Sequence, residues 1–194
     1  MVQRRKRAGF SILELLIVVS ILLVIGVVAI PNMMSVIANS RLRAGMTSMS
    51  GLFQNCRMMA VKTNKTLSTH FATPNSALVA FIKDAAVSPA IPAASDPQIT
   101  WAAPVIKVTT PTGPTAPSTL LDSTILGFTP QTVDLSFNPR GLPCVFSGGN
   151  CANSGFLYYF KDTSQPGTRG WAAVSISPAG RIKRWGWSGT AWTD

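Results

Sequence analysis

A single carboxylate inside a long apolar run is the first feature of this sequence that can carry specific chemistry. Residues 4–7 are four consecutive cations, Gly9 follows, and residues 10–30 form an apolar run whose one charged residue is Glu14. A carboxylate at that depth in an apolar segment costs roughly a few kcal/mol on membrane insertion and by default marks function with a charged partner. An ammonium group is such a partner. A cut between Gly9 and Phe10 would create one, the new α-amino group.

Cationic and aromatic side chains are interleaved near the C-terminus, at Arg181, Lys183, Arg184, Trp185, Trp187 and Trp192. Such a set can hold phosphates and stack on bases. In a strand, alternation puts Arg181, Lys183 and Trp185 on one face, and Ile182 and Arg184 on the other. The simpler interpretation, which we prefer, is a solvated basic strand with tryptophans packed on the sheet.

Two of the three cysteines are close in sequence. Cys144 and Cys151 enclose the segment Val-Phe-Ser-Gly-Gly-Asn, which can turn tightly. In an oxidising compartment this spacing predicts a small disulfide loop. A two-cysteine metal site is the alternative, but no histidine or second cysteine pair supports it. Cys56 is predicted to be a buried thiol on the apolar stripe of a helix.

The sequence offers no set of residues typical of an enzyme. His70 is the only histidine, the 7 acidic residues are dispersed, and no Gly-x-Gly-x-x-Gly or phosphate-loop spacing occurs. We therefore predict no enzymatic activity, no catalytic residue, no metal site and no cofactor.

The first structural element of the chain is predicted to be a membrane segment. Only 12% of the 194 residues are charged, yet the net charge is +10. As a helix, residues 10–30 would be about 31 Å long, the thickness of a bilayer core. The cations at 4–7 predict that the N-terminus is cytoplasmic and that the remainder is extracytoplasmic. A cleaved signal peptide fits less well, because the run is too long and Gly9 precedes it. A plain signal anchor fits length and charge but leaves Glu14 unexplained.

Beyond the membrane segment we predict an α+β architecture. Apolar residues continue at helical spacing to Lys62, so residues 31–62 are an amphipathic continuation of one long helix, bent near Pro31. Its second half should pack on an antiparallel β-sheet formed by residues 63–194. Residues 89–117 hold seven prolines and form either a long loop or edge segments. The predicted strands are Thr66–Phe71, Ala77–Ile82, Val105–Thr109, Thr119–Phe128, Val133–Phe137, Phe156–Phe160, Ala172–Ser177 and Arg181–Trp187.

The stretch Gly9-Phe10-Ser11-Ile12-Leu13-Glu14-Leu15-Leu16-Ile17-Val18 resembles the class III signal of type IV pilins and type II secretion pseudopilins. The resemblance implies that prepilin peptidase removes a leader, residues 1–9, and methylates Phe10. It also implies that Glu14 pairs with the N-terminus of a neighbouring subunit in a filament. Pro31 lies where many pilins carry a proline that kinks the helix. The implied fold is pilin-like.

Three further stretches resemble the GspH/FimT group of minor pilins and pseudopilins. They are the helix end Leu52–Thr66, the turn Phe137–Gly141 and the strand pair Val174–Lys183. In some members involved in natural transformation, a Gly-Arg-x-Arg motif resembles a DNA-contacting site. The matching residues here are Gly180, Arg181, Ile182 and Lys183, with lysine in place of the last arginine.

These features lead to three hypotheses. The first is a structural subunit of a type IV pilus or a type II secretion pseudopilus, anchored once in the bacterial inner membrane with its domain in the periplasm. Its partners are prepilin peptidase and other subunits. The second is a minor pilin that captures double-stranded DNA through Arg181, Lys183 and Arg184. The third is a membrane-anchored periplasmic domain with no filament role.

Overall fold

The computed structural model describes residues 11–87, 91–101, 103–109 and 130–193. The chain divides into two compact units, Met1–Ile37 and Ala38–Asp194. The helix α1, Ile12–Thr63, contributes residues to both. Gly9 and Phe10 lie outside the described residues, as does the strand predicted at Thr119–Phe128.

The first unit exposes the apolar side chains of its helix. Every large apolar side chain from Ile12 to Val27 is exposed. No helix within the described part of the chain is both long enough and apolar enough to cross a membrane. The membrane span predicted for residues 10–30 and the kink predicted at Pro31 both stay predictions.

In the second unit, one stripe of α1 is buried. Its members recur every three or four residues, as on one face of a helix, and are Leu42, Met46, Met49, Phe53, Cys56 and Ala60. The helix ends where predicted, because Asn64 adopts a left-handed conformation (φ 53°). The amide of Lys65 then donates to the carbonyl of Ala60, which satisfies one of the last helical acceptors.

The described strands form two antiparallel sheets. In spatial order the six-stranded sheet contains β3 (Gln98–Thr100), β2 (Val79–Asp84), β1 (Leu67–Ala72), β5 (Leu135–Phe137), β6 (Pro143–Ser147) and β7 (Asn150–Asn153). The five-stranded sheet contains β11 (Trp192–Thr193), β10 (Ile182–Trp187), β9 (Trp171–Ile176), β8 (Phe156–Asp162) and β4 (Val105–Val108). The predicted α+β class is confirmed, and the sheet expected from the sequence is divided in two.

The core lies between α1 and both sheets. Phe53 of the helix, Phe137 of the six-stranded sheet and Tyr158 of the five-stranded sheet belong to one buried cluster. Residues 131–133 connect the sheets. Gln131 forms a parallel bridge with Phe156, and the Tyr158 hydroxyl donates to the carbonyl of Val133 at 2.6 Å. One apolar core therefore holds the helix and the two sheets together.

The Pro-rich stretch contributes edge strands, one of the two alternatives predicted for it. Both β3 and β4 lie at an edge of their sheets. A proline costs least at an edge, because one side of the strand needs no hydrogen-bonding partner.

The two cysteines lie on a hairpin that the sequence presented as a loop. Cys144 on β6 and Cys151 on β7 form a disulfide, with their Cα atoms 5.3 Å apart. Gly148 and Gly149 make the turn with φ angles of 56° and 84°. Cys56 is buried with a free thiol, and burial raises its pKa to about 12. A thiol with so high a pKa is unreactive.

A close contact between α1 and the rest of the second unit is made at Gly45. The Trp101 side chain is buried, and its ring stacks on Phe160 with centroids 4.4 Å apart. A Cβ atom built on Gly45 would overlap the six-membered ring of Trp101. A Cβ atom on Gly51, six residues further along the same helix, would meet nothing within 4 Å.

These two glycines give a matched test of the packing. Gly45→Ala should lower the free energy of unfolding by about 1–3 kcal/mol through overpacking. Gly51→Ala should raise it by up to about 1 kcal/mol through helix propensity alone. Urea denaturation followed by tryptophan fluorescence measures both. An equal gain in the two variants would show that Trp101 does not rest on the helix at Gly45.

Candidate functional site

Glu14 lies in the first turn of α1. The hydroxyl of Ser11 accepts a hydrogen bond from the amide of Leu13 at 3.3 Å, so Ser11 caps the helix. The spacing from Ser11 to Glu14 is that of a capping box, and a negative charge is favourable at a helix N-terminus. Within the described residues no cation lies within ion-pair distance of Glu14. The position of Glu14 in the first turn is thus also electrostatically favourable for the helix itself.

A groove lies between α1 and β10. We call it the arginine groove, a cavity of about 570 Å³ lined by Arg43, Met46, Thr47, Arg181, Ile182, Lys183, Arg184, Gly186 and Thr193. The helix supplies one wall and the end of the five-stranded sheet supplies the other. Three of its four basic lining residues, Arg181, Lys183 and Arg184, are those predicted from the sequence, but the ammonium of Lys183 lies over Trp185 on the other face of β10. The fourth, Arg43, was missed.

Arg184 is the cation whose position is best defined. Its Nη1 donates to Oγ1 of Thr47 at 2.9 Å, and that hydroxyl donates to the backbone carbonyl of Arg43 at 2.9 Å. The first bond joins β10 to the helix, and the second holds the Thr47 hydroxyl against the helix backbone. Ile182, on the same face of β10 as Arg184, packs against the main core. The alternation predicted for this strand therefore brings Arg184 to the helix.

The tryptophans lie on the opposite face of the five-stranded sheet. Trp185 donates from Nε1 to the Ser175 hydroxyl at 2.9 Å, and Lys183 Nζ lies 4.9 Å from the centroid of its ring. This face forms a second cluster, which contains Leu157, Tyr159, Trp171, Ala173, Val108, Trp185, Trp187 and Trp192. The preferred interpretation from the sequence, tryptophans packed on the sheet, describes this face.

The cations of the arginine groove are not neutralised by acidic residues of the described chain. The ion pairs among the described residues are His70–Asp134 at 2.8 Å and Lys83–Asp96 at 3.2 Å. Neither includes a cation of the groove. The groove therefore presents concentrated positive charge, which attracts anions.

Arg57 is the point where the helix end Leu52–Thr66 meets the turn at Gly141 and the turn at Gly180. A Cβ atom on Gly141 would lie 3.1 Å from Arg57 Nε, and one on Gly180 would lie 3.3 Å from Arg57 Nη1. Both glycines have positive φ angles, 75° and 82°. The arginine at the helix end thus packs against the turn at Gly141 and the turn at Gly180. Both turns need glycine for their conformation and for this close approach.

His70 has a carboxylate partner that the sequence did not suggest. Its Nδ1 lies 2.8 Å from Asp134 Oδ2, while its Nε2 is buried without a hydrogen-bonding partner. No hydroxyl or thiol of the described chain is placed on Nε2, as a hydrolytic triad would need. Within the described residues no group of three or more histidine, cysteine or acidic side chains is placed to hold a metal ion.

Comparison with known proteins identifies the N-terminal segment. Residues 4–30 match the family model described as the prokaryotic N-terminal methylation motif. The match includes Gly9, Phe10 and Glu14, and it supports a type IV pilin-like protein that is a substrate of prepilin peptidase. No curated protein and no solved structure gives a significant match to the chain.

Proposed function

We propose that this protein is a structural subunit of a type IV pilus or of a type II secretion pseudopilus. The observation that carries the proposal is the methylation motif at residues 4–30. A helix that leads from this motif into an α+β domain is consistent with a pilin-like subunit. The function is assembly, and it requires neither a catalytic residue nor a cofactor.

The exposed apolar side chains of residues 12–27 explain why such a subunit needs partners. A helix that is apolar on all sides is stable only in a lipid or protein environment. Before assembly that environment is the inner membrane, with residues 1–9 in the cytoplasm and the domain in the periplasm. After assembly it is the corresponding helices of neighbouring subunits.

Within this class we assign the chain to the GspH/FimT-like minor pilins and pseudopilins. The assignment is supported by the contacts of Arg57, which bring together the helix end and the turns at Gly141 and Gly180. These are the stretches by which the sequence resembles that group. The alternative is a membrane-anchored domain with no filament role. That alternative does not explain the methylation motif.

The first prediction from this function concerns processing. We expect the mature protein to begin at N-methylated Phe10, because Gly9 and Phe10 lie at the junction of the basic leader and the apolar run. Intact-mass and N-terminal peptide analysis of protein from cells with and without prepilin peptidase provides the measurement. Retention of Met1 in the mature pool, or a cut after Ile30, would contradict the proposal.

The second concerns Glu14. Glu14→Ala should leave membrane insertion intact but reduce filament assembly or secretion, because the neighbouring N-terminal ammonium loses its partner in an apolar environment. Ser11→Ala is the matched control, since it removes the cap of the same helix turn without changing charge. Comparable assembly defects in the two variants would assign Glu14 to helix capping. Normal assembly or secretion with Glu14→Ala would show that Glu14 does not pair with the N-terminus of a neighbouring subunit.

A second candidate function is DNA capture by a minor pilin. It is favoured by the four cations of the arginine groove, none of which is paired with an acidic side chain of the described chain. After removal of residues 1–9 the chain keeps 13 basic and 7 acidic residues, so the mature protein is cationic. Positive charge of this kind supports sequence-independent binding to phosphates.

This candidate predicts weak binding of duplex DNA that is lost as salt concentration rises, because each phosphate contact releases counterions. Removal of both charges by Arg181→Ala with Lys183→Ala should flatten the salt dependence by about 2 units without lowering the melting temperature. Fluorescence titration at several salt concentrations gives the affinities. Absence of binding by the unaltered protein at low salt would leave the filament subunit as the function.

A further inference from the structure

We propose that the arginine groove is a docking site for an extended acidic segment of another protein, which adds a strand to the outer edge of β10. The added segment continues the five-stranded sheet, and its acidic side chains face Arg43 and Arg184. Strand addition of this kind takes its affinity from main-chain hydrogen bonds and its specificity from alternate side chains. The inference goes beyond filament assembly, and it requires neither assembly nor DNA capture.

The lining of the groove follows the edge of β10 and not one of its faces. Successive side chains of a strand point to opposite faces of the sheet. Nevertheless, every residue from Arg181 to Arg184 lines the groove. Lys183 does so although its ammonium lies over Trp185, on the other face. A cavity that meets consecutive residues of a strand lies along the edge of that strand, beside its main chain.

The outer edge of β10 has main-chain groups that no strand of the described chain uses. β9 pairs with one side of β10 from Ile182 to Gly186, whereas β11 pairs with the other side at Gly186 and Trp187. The carbonyl of Gly186 accepts a hydrogen bond from the Thr193 hydroxyl, so Gly186 faces this outer side. Main-chain groups alternate between the two sides of a strand, so those of Ile182 and Arg184 also face outward. Each of these two residues therefore offers an N–H and a C=O group to an added strand.

The charges beside this edge favour acidic side chains in the partner. Arg43 and Arg184 line the groove, and the guanidinium of Arg184 is held at the helix by its hydrogen bond to Thr47. A guanidinium binds a carboxylate through two parallel hydrogen bonds. Alternate side chains of an added strand point to the same face, so acidic residues at every second position meet the two arginines. The side chains between them lie on the face that carries Trp185.

A second copy of this chain is a poor source of such a segment. The chain has a net charge of +10, so two copies repel each other. Among its described acidic residues, Asp96 and Asp134 already form ion pairs, and Asp162 is buried. The partner is therefore a different protein, with acidic residues in an extended segment.

The test measures binding of a fluorescein-labelled peptide in which glutamate and threonine alternate over a length slightly greater than that of β10. The full chain in non-ionic detergent micelles is titrated against the peptide, and anisotropy gives the affinity. Two further peptides carry N-methyl groups, one on every glutamate amide and the other on every threonine amide. Each modification removes the N–H donors from one edge of the peptide and leaves its charge unchanged.

The unmodified peptide should bind, and one of the two N-methylated peptides should lose affinity while the other keeps it. The reason is that an added strand pairs with β10 through only one of its edges. Equal affinities for the two N-methylated peptides would overturn the proposal, because attraction between charges does not depend on which amides are blocked. A peptide with serine in place of glutamate should bind about tenfold more weakly or less.

The contribution of the arginines is measured with two charge-matched double variants. Arg43→Gln with Arg184→Gln should weaken binding of the peptide about tenfold. Arg41→Gln with Arg169→Gln removes two exposed arginines that do not line the groove, and should change the affinity less than about threefold. Arg43→Gln alone should also weaken binding, and it leaves β10 and its bond to the helix intact. Equal losses in the two double variants would contradict the assignment to the groove.

The same titration with duplex DNA separates this proposal from DNA capture. If the protein binds the duplex but not the peptide, the proposal is overturned and DNA capture stands. If it binds neither, both fail, the filament subunit stands, and the cations serve to protect an edge strand from unwanted pairing. Binding of the peptide with the expected dependence on one edge supports the proposal whether or not the duplex also binds.

Discussion

The structure of the second unit depends on burial of one apolar stripe of α1. Met49, Phe53 and Cys56 are fully buried, and the cluster around them includes side chains from both sheets. Full burial of each large apolar side chain contributes about 1.5–3 kcal/mol, so the stripe is a major part of the stability of this unit. Neither sheet could bury its inner face without it. The position of the helix also fixes which polar residues face the sheet edges.

The arginine groove and the contacts of Arg57 both follow from that constraint. Once the stripe is buried, the residues beside it on the helix must lie against the borders of the sheets. At one point this places Thr47 within hydrogen-bonding distance of Arg184. Ten residues further along the helix, nearly three turns, it places Arg57 against Gly141 and Gly180. Core packing of the helix thereby determines which basic side chains of the helix lie beside which residues of the sheets.

Much of the fold could be predicted from the sequence, because its signals are local. The helical spacing through Ala60, the end of the helix at Asn64 and the alternation in β10 each depend on residues close in sequence. The division into two sheets was not predictable, since it depends on which distant strands pair. The hairpin of β6 and β7 was missed because the segment Ser147-Gly148-Gly149-Asn150 resembles a loop.

The candidate sites also contain residues that could be predicted from the sequence and residues that could not. Glu14, Arg181, Lys183 and Arg184 were proposed from residue type, spacing and the resemblance to known families. Arg43 was not, because its role depends on a neighbour 141 positions away, Arg184, and only the packing of α1 on the sheet brings them together. The pair His70–Asp134 was missed for the same reason, since its members are 64 residues apart. Sequence patterns identify individual charges, while the partners of those charges come from tertiary packing.

The strand β8 also bears on how freely this protein can change in length. Val105–Val108 pairs with one side of β8, and Gln131 bridges to Phe156 at its start. The chain between these two attachments therefore begins and ends on the same strand. Val108 pairs with Tyr159 and Gln131 with Phe156, so the two attachments lie three residues apart on β8 and stay close together however many residues join them.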